Sequence, residues 1–262
     1  MRADLLSVPG EPDRANEDFA ALSPQGAALV LDGVTPPPDG QTGCVHTVTW
    51  FVQKLGPALL RRAERRDQSL ADCLADAIAQ TAAAHESTCD LSHRRTPQAT
   101  VVALRWDDRQ VEYLVLSDSV LLLDVNGAVT PILDGRLDEV TGRPDLRAIR
   151  YTRQYFDALE SLRNADGGFY TAAADPEVAK RAVTGHLPRA EVRAAAAMSD
   201  GATRWTEVFG FGDWAELFTR IEDKGAVQVV DEVRAAETAD PDRTAFPRGK
   251  SRDDASVVFL QF

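Results

Sequence analysis

Cysteine is scarce in this chain. The three residues, Cys44, Cys73 and Cys89, form no Cys-x-x-Cys pair. An odd count without a secretory signal predicts reduced thiols in a cytoplasmic protein. None sits in a local signature of cysteine catalysis, and no histidine–cysteine cluster of the zinc type stands out. Positive charge is short as well. A formal net charge of −12 argues against nucleic acid as a partner, because phosphate backbones repel such a surface, and against anionic membrane surfaces. Long apolar runs are missing, with none approaching the roughly 20 residues of a membrane-spanning helix. The amino terminus lacks a basic stretch followed by an apolar core, so no secretory signal is expected. No internal repeat, low-complexity tract or interdomain linker is visible.

What remains has the composition of an ordinary globular protein, with 44% hydrophobic and 27% charged residues. A chain of 262 residues can bury a large core within a single domain spanning 1–262. Residues 17–33 read as two short strands around the Ser23-Pro24-Gln25-Gly26 turn, and Pro36-Pro37-Pro38 forces an extended loop. Helical stripes run from about 43 to 66 and from about 69 to 86, the second capped by Ser69. Strands at 99–104, 111–116, 120–125 and 128–133 are separated by Asp107-Asp108 and Asn126-Gly127 turn chemistry and predict an antiparallel meander. Residues 135–190 are polar and partly helical. A buried strand at 192–199, helices near 213–222 and 226–238, a polar loop at 239–253 and a strand at 255–262 complete the chain. Strand runs separated by paired helices predict an α+β layered domain.

Several aspartates stand where short apolar runs begin or end: Asp18 in Asn16-Glu17-Asp18, Asp32-Gly33 after Leu29-Val30-Leu31, Asp118 between Ser117 and Ser119, Asp200-Gly201 after Met198-Ser199, and Asp253-Asp254 before Ala255-Ser256. A carboxylate on a strand end can be aimed, and several together suit hard divalent cations. Metal-assisted hydrolysis is the chemistry this pattern predicts.

The ordered set, with Thr100 ahead of its strand, resembles the metal-dependent protein phosphatases of the 2C type, from about residue 7 to the carboxyl terminus. The resemblance implies a four-layer αββα sandwich of two antiparallel sheets flanked by helix pairs. It implies two Mn²⁺ or Mg²⁺ ions and hydrolysis of phosphoserine or phosphothreonine by a water bridging them. Asp32 would bridge both metals, Glu17 and the carbonyl of Gly33 would hold one, and Asp200 and Asp253 the other. Asp18 would accept hydrogen bonds from metal-bound water. The implied partners are a phosphorylated protein and a Ser/Thr kinase or its targets, and the implied state is a monomer. Residues 135–190 take the place of a flap beside the active site, where Arg150, Tyr151, Arg153, Tyr155, Arg163 and Tyr170 are candidates for phosphopeptide recognition.

The sequence departs from the family pattern at several positions. The phosphate-gripping Arg belongs five residues before Asp18, where Asp13 stands; Arg14 is one residue nearer. No His follows Asp32-Gly33, so His46 is the candidate general acid. Bacterial members bind a third metal through an Asp matched by Asp118 and another matched by Arg204, and a guanidinium cannot ligate a cation. A weak or absent third metal is expected, with Arg204 in its place. These departures also motivate an alternative: a catalytically weak or inactive module that binds phosphoproteins. Leu31-Asp32-Gly33-Val34-Thr35 superficially resembles the haloacid dehalogenase phosphatases, but the second aspartate they need is absent, Val30 standing two residues before Asp32.

Overall fold

The computed structural model describes residues 2–37 and 41–262. Pro38, the last of the three prolines expected to extend the loop, lies outside them. Among the described residues the chain forms two five-stranded antiparallel sheets. One has the order β1 (Arg2–Val8), β10 (Ala255–Gln261), β9 (Val192–Met198), β6 (Val120–Val125), β7 (Ala128–Ile132). The other runs β2 (Phe19–Ser23), β3 (Ala27–Gly33), β4 (Ala99–Trp106), β5 (Gln110–Leu116), β8 (Val183–Pro188). The fold is the α+β layered domain that the element order predicts, in the four-layer sandwich form that the family resemblance implies.

Alternation along the strands builds the layers. Ala28, Val30, Val102, Leu104 and Val115 face Leu121, Leu123, Ala195, Ala197, Val258 and Leu260 of the other sheet. The residues between them, Leu29, Leu31, Val101, Ala103, Leu114 and Leu116, point outward onto α1 (Val48–Ala63) and α2 (Leu70–Ala83). The opposite sheet packs its outer face on α6 (Asp200–Glu207), α7 (Trp214–Lys224) and α8 (Ala226–Ala239). Caps fix where the helices begin. Ser69 accepts from the Asp72 amide, and Asp213 with Glu216 closes a capping box on α7.

Two expectations change, and one strand joins those read from the sequence. The strands at 99–133 are not one meander: β4 and β5 belong to one sheet, β6 and β7 to the other. The chain crosses between sheets at Ser117–Ser119, where Ser117 takes a left-handed φ of 70°. A first strand, β1, is present although its residues alternate weakly; it is an edge strand paired only with β10. The flap-like region is also shorter than 135–190. Helices α3 (Arg136–Thr141), α4 (Pro144–Arg147) and α5 (Arg153–Leu162) form it around their own apolar cluster of Val140, Leu146 and Tyr155. By 183 the chain has returned to the sheet as β8. Arg95 fastens α5 to the body through three hydrogen bonds of 2.7–2.9 Å to Glu160.

Strand register gathers the candidate residues. Asp32 lies opposite Thr100, and Val101 opposite Leu116, the last residue of β5. In the other sheet Met198 lies opposite both Val120 and Val257. The segments carrying Asp32, Asp118, Asp200 and Asp253 therefore leave the sandwich at the same end.

Candidate active site

A cleft of about 710 Å³ opens at that end, and Asp32, Asp118, Asp200 and Asp253 line it together with Arg14 and Lys250. Asp32 is the penultimate residue of β3. Its amide donates to Thr100 Oγ1 at 3.3 Å, and its Oδ2 accepts from the Asp200 amide at 3.3 Å. Ser199 precedes α6 and is fully buried. Its hydroxyl donates to Asp18 Oδ2 at 2.7 Å and accepts from the Ser256 amide at 2.9 Å. Asp18 is only 3% exposed, and its Oδ1 has no hydrogen-bond partner among the described residues.

Glu17 stands beside the cleft. Thr35 Oγ1 donates to Glu17 Oε2, and the Glu17 amide donates to Asp254 Oδ2 at 2.6 Å. Asp254 Oδ1 accepts from the Gly10 amide at 2.7 Å. Asp254 thus clamps the segment between β1 and β2 onto the start of β10, which sets the position of Glu17. Two glycines make this closeness possible. A Cβ on Gly33 would lie 2.5 Å from the Glu17 carbonyl oxygen, and one on Gly201 would lie 1.9 Å from the Asp254 carbonyl oxygen.

Asp253 is paired at both of its carboxylate oxygens. Lys250 Nζ donates to Oδ1 at 2.6 Å and Arg204 Nη2 to Oδ2 at 2.8 Å. Arg204 also binds Glu237 at 2.6 Å, and Glu237 binds Arg234 at 2.7 Å. Glu237 and Arg204 are buried, so each charge in this ladder depends on the next.

The electrostatics show a shortage of positive charge. Burial first, then the neighbouring Asp200 and Asp254, push the Asp18 carboxyl up to about 8, against opposing hydrogen bonds from Ser199 and Ser256. Burial, then Asp200, Asp18 and Asp253, hold Asp32 well above the ordinary carboxylate value. Burial and Asp200 raise Asp118 to about 6. Asp253 also reaches about 6 despite Lys250 and Arg204. Burial pulls Lys250 down, but Asp253, Asp200 and Asp32 together keep its ammonium above the ordinary lysine range. Lys250, Arg204 and Arg163 together do not bring these carboxylates back to their ordinary values. The all-oxygen donor set, the unpartnered Asp18 Oδ1 and the bare backbone at Gly33 fit hard divalent cations.

A cleft of converging carboxylates at one end of an antiparallel sandwich defines a metal-dependent hydrolase. A family model, Protein phosphatase 2C, matches residues 13–234. The chain belongs to the protein phosphatase 2C family, and is a metal-dependent protein phosphatase of the class that uses manganese or magnesium. Solved structures agree in fold. The Mycobacterium tuberculosis serine/threonine phosphatase PstP/Ppp is 16% identical with a TM-score of 0.61, covering 100% of this chain and 98% of that one. The PstP catalytic domain in complex with two manganese ions is also 16% identical at a TM-score of 0.61, over 99% and 97%. Serine/threonine phosphatase Stp1 from Staphylococcus aureus is 11% identical at a TM-score of 0.62, over 99% and 94%. A comparison with curated protein sequences returns no significant match.

The structure brings Asp32, Gly33, Asp118, Asp200 and Asp253 to the cleft, with Asp18 and Glu17 adjoining them through Ser199 and Thr35. Exposed Arg14 lines it too. Arg204 lines the cleft but binds Asp253 and Glu237 instead of standing in for a metal beside Asp118. The guanidinium that partly offsets Asp118 is Arg163, which lies over the Phe169 ring. Of the flap residues expected to recognise substrate, Arg153 and Arg163 line the cleft. Tyr155 and Tyr170 are buried, and Tyr151 donates to the Pro247 carbonyl.

His46 is absent from the lining. It lies with Cys44, His85 and Cys89, and Cys44 and Cys89 are joined as a disulfide. The expectations of reduced thiols and of no histidine–cysteine cluster therefore fail for these residues; Cys73 remains a buried free thiol. The reason is topological. Cys44 and Cys89 are 45 residues apart, but they flank α1 and α2, whose hairpin brings its ends together. Lys250 and the clamp Asp254 carry roles that sequence reasoning missed. The one available signal was a lysine three residues before Asp253 in a loop read only as polar.

Proposed function

We propose that this protein removes phosphate from phosphoserine or phosphothreonine in a protein substrate, with hydrolysis centred on the carboxylate cleft. The observation that carries the reading is the excess of buried carboxylates over cations around Asp32. Asp32, Asp200 and Asp253 would hold one divalent ion. Asp32, Glu17 and the Gly33 carbonyl would hold a second. Two such ions would lower the pKa of a shared water and offset charge that builds up on the phosphoryl oxygens.

The protein's own groups supply the rest. Arg14, at the rim, has the planar fork of donors that pairs with phosphate through two parallel hydrogen bonds. Asp18 accepts Ser199 at Oδ2 and keeps Oδ1 available to hold or pass a proton. Ser199 fixes the orientation of that carboxylate, since its own oxygen is held by the Ser256 amide. Half-exposed Phe156 and exposed Arg153, both on the cleft wall, offer apolar and cationic surface to residues flanking the phosphate. Phosphoproteins made by a Ser/Thr kinase are the substrate class.

Phosphate release from a phosphothreonine peptide tests the reading. Turnover should require manganese and vanish in Asp32→Ala. One observation favours the other reading, a phosphoprotein-binding module with little turnover: both oxygens of Asp253 are already taken by Lys250 and Arg204. Manganese-dependent turnover no greater than that of Asp32→Ala would select it.

A further inference from the structure

We propose that Cys44, His46, His85 and Cys89 form a structural zinc site, distinct from the carboxylate cleft. Their four donor atoms all lie within 4.8 Å of one another. Both imidazoles turn Nδ1 toward sulfur. His85 Nδ1 is 3.3 Å from Cys44 Sγ, and His46 Nδ1 is 3.4 Å from Cys89 Sγ and 3.7 Å from Cys44 Sγ. A tetrahedral zinc ion with ordinary Zn–S and Zn–N bonds places its sulfur and nitrogen ligands about 3.6 Å apart. The three separations bracket that value. A disulfide alone gives no reason for two imidazoles to face it.

The local chain supports the ligands in pairs. Cys44 and His46 stand just before Thr47, the N-cap of α1. His85 and Cys89 are four residues apart on the turn that follows α2, where the Cys89 amide donates to the His85 carbonyl at 3.0 Å. The two arms are tied next to the ligands, since the Asp90 amide donates to the Gly43 carbonyl at 2.7 Å. Trp50 covers both rings, with centroids 4.0 Å from His46 and 5.0 Å from His85. His85 is 1% exposed, and its Nε2 has no hydrogen-bond partner among the described residues. That nitrogen carries the proton when Nδ1 gives its lone pair to a metal.

Four protein ligands leave no open position, so the site is structural and not catalytic. Zinc joins both thiolates and releases the two thiol protons. The disulfide and the zinc-bound state exclude each other, because both sulfurs are needed in each. Zinc would link the loop that leaves Gly33 to the end of α2, holding the helix pair closed as the disulfide does.

Cobalt is the probe, because thiolate-to-cobalt charge transfer and tetrahedral d–d absorption are silent for carboxylate sites. The full-length protein is reduced with a phosphine, which takes up water oxygen to become phosphine oxide as the disulfide becomes two thiols. It is then titrated with Co²⁺. One equivalent should produce both absorptions, and one equivalent of Zn²⁺ should bleach them. Asp32→Ala should keep the signal, and Cys89→Ser, left with the single Cys44 thiolate, should weaken the charge-transfer band to about half or less. A reduced wild-type protein without these absorptions, or with absorptions unchanged in Cys89→Ser, would overturn the site. The wild-type spectrum alone decides this if the Cys89→Ser variant fails to fold.

Discussion

The carboxylate cleft and the cysteine–histidine corner bring titratable side chains together in opposite ways. The cleft is built on the ends of paired strands, and it crowds acidic groups beyond what Lys250 and Arg204 offset. The corner is built on segments flanking two helices, and its disulfide sits beside two imidazoles covered by Trp50. The cleft therefore stays electrostatically incomplete without a cation, whatever the redox state. The corner can complete itself covalently, through the Cys44–Cys89 bond. Fold and charge are traded against each other in the first. In the second a metal and a covalent bond are alternatives of the same geometry.

Two substitutions probe how far the cleft depends on its incomplete charge. Asp32→Ala should have the largest effect on this protein, a loss of manganese-dependent phosphatase activity well beyond the roughly 100-fold that outer partners of a metal ligand cost. The measurement is turnover of a phosphothreonine peptide, and retained activity would mean that the carboxylates do not act as a metal centre. Ser199→Ala comes next. It leaves Asp18 Oδ2 without its buried donor and the Ser256 amide without its acceptor. Activity should fall about 10–100-fold, and stability by roughly 1–3 kcal/mol. A urea midpoint and a turnover assay on the same preparation separate the two effects.

The two regions also differed in how far they could be read in advance. Each cleft aspartate announces itself locally, because Leu29-Val30-Leu31 before Asp32, or Ala255 onward after Asp253, marks a strand end by composition. Their order along the chain was enough to suggest that they converge. The corner carries no local mark: Cys44 lies at the start of a helical stripe and Cys89 in a polar stretch, and only the α1–α2 hairpin joins them. The same limit applies inside the cleft. Lys250 sits in an irregular loop without periodicity, so nothing in the sequence aims it at Asp253. Arg204 was noticed by its position four residues after Asp200, but one turn of α6 directs it toward Glu237 as well as Asp253. The crossover at Ser117–Ser119 carries no mark of its own, because turn chemistry is the same whether or not the chain changes sheets.

The pH dependence of the metal-free protein sharpens the comparison further. Asp18, Asp32, Asp118 and Asp253 have folded-state values above those of exposed carboxylates. The folded state then binds more protons than the unfolded state between the two sets of values. Its stability must fall as pH rises from about 4 toward about 8, the folded value of Asp18. Asp18 alone, with its folded value about three units above pH 5, should make the loss from pH 5 to pH 8 on the order of 4 kcal/mol, a midpoint shift of about 10 °C for a chain of this size. Manganese should largely remove the dependence, since it supplies the missing charge. Reduction and zinc loading of the corner should leave the slope unchanged, because the corner contributes none of these carboxylates. A metal-free protein whose melting temperature is flat over that range would show that the cleft carries no unbalanced charge.

The smallest effect tests whether Lys250 competes with the metal or prepares its place. The ammonium touches the carboxylate proposed to ligate a metal, at 2.6 Å from Asp253 Oδ1, with its side chain 40% exposed. Solvent screening limits such a pair to about 1 kcal/mol. If the ammonium and a divalent ion compete for Asp253, Lys250→Gln should lower the manganese concentration for half-maximal activity by up to about 5-fold. Arg204 would still hold Oδ2, and the ladder through Glu237 and Arg234 would keep Asp253 in place. A higher manganese requirement in Lys250→Gln would reverse the reading: the lysine would orient Asp253 toward the metal, and the cleft would be pre-shaped by its own cations much as the corner is by its disulfide.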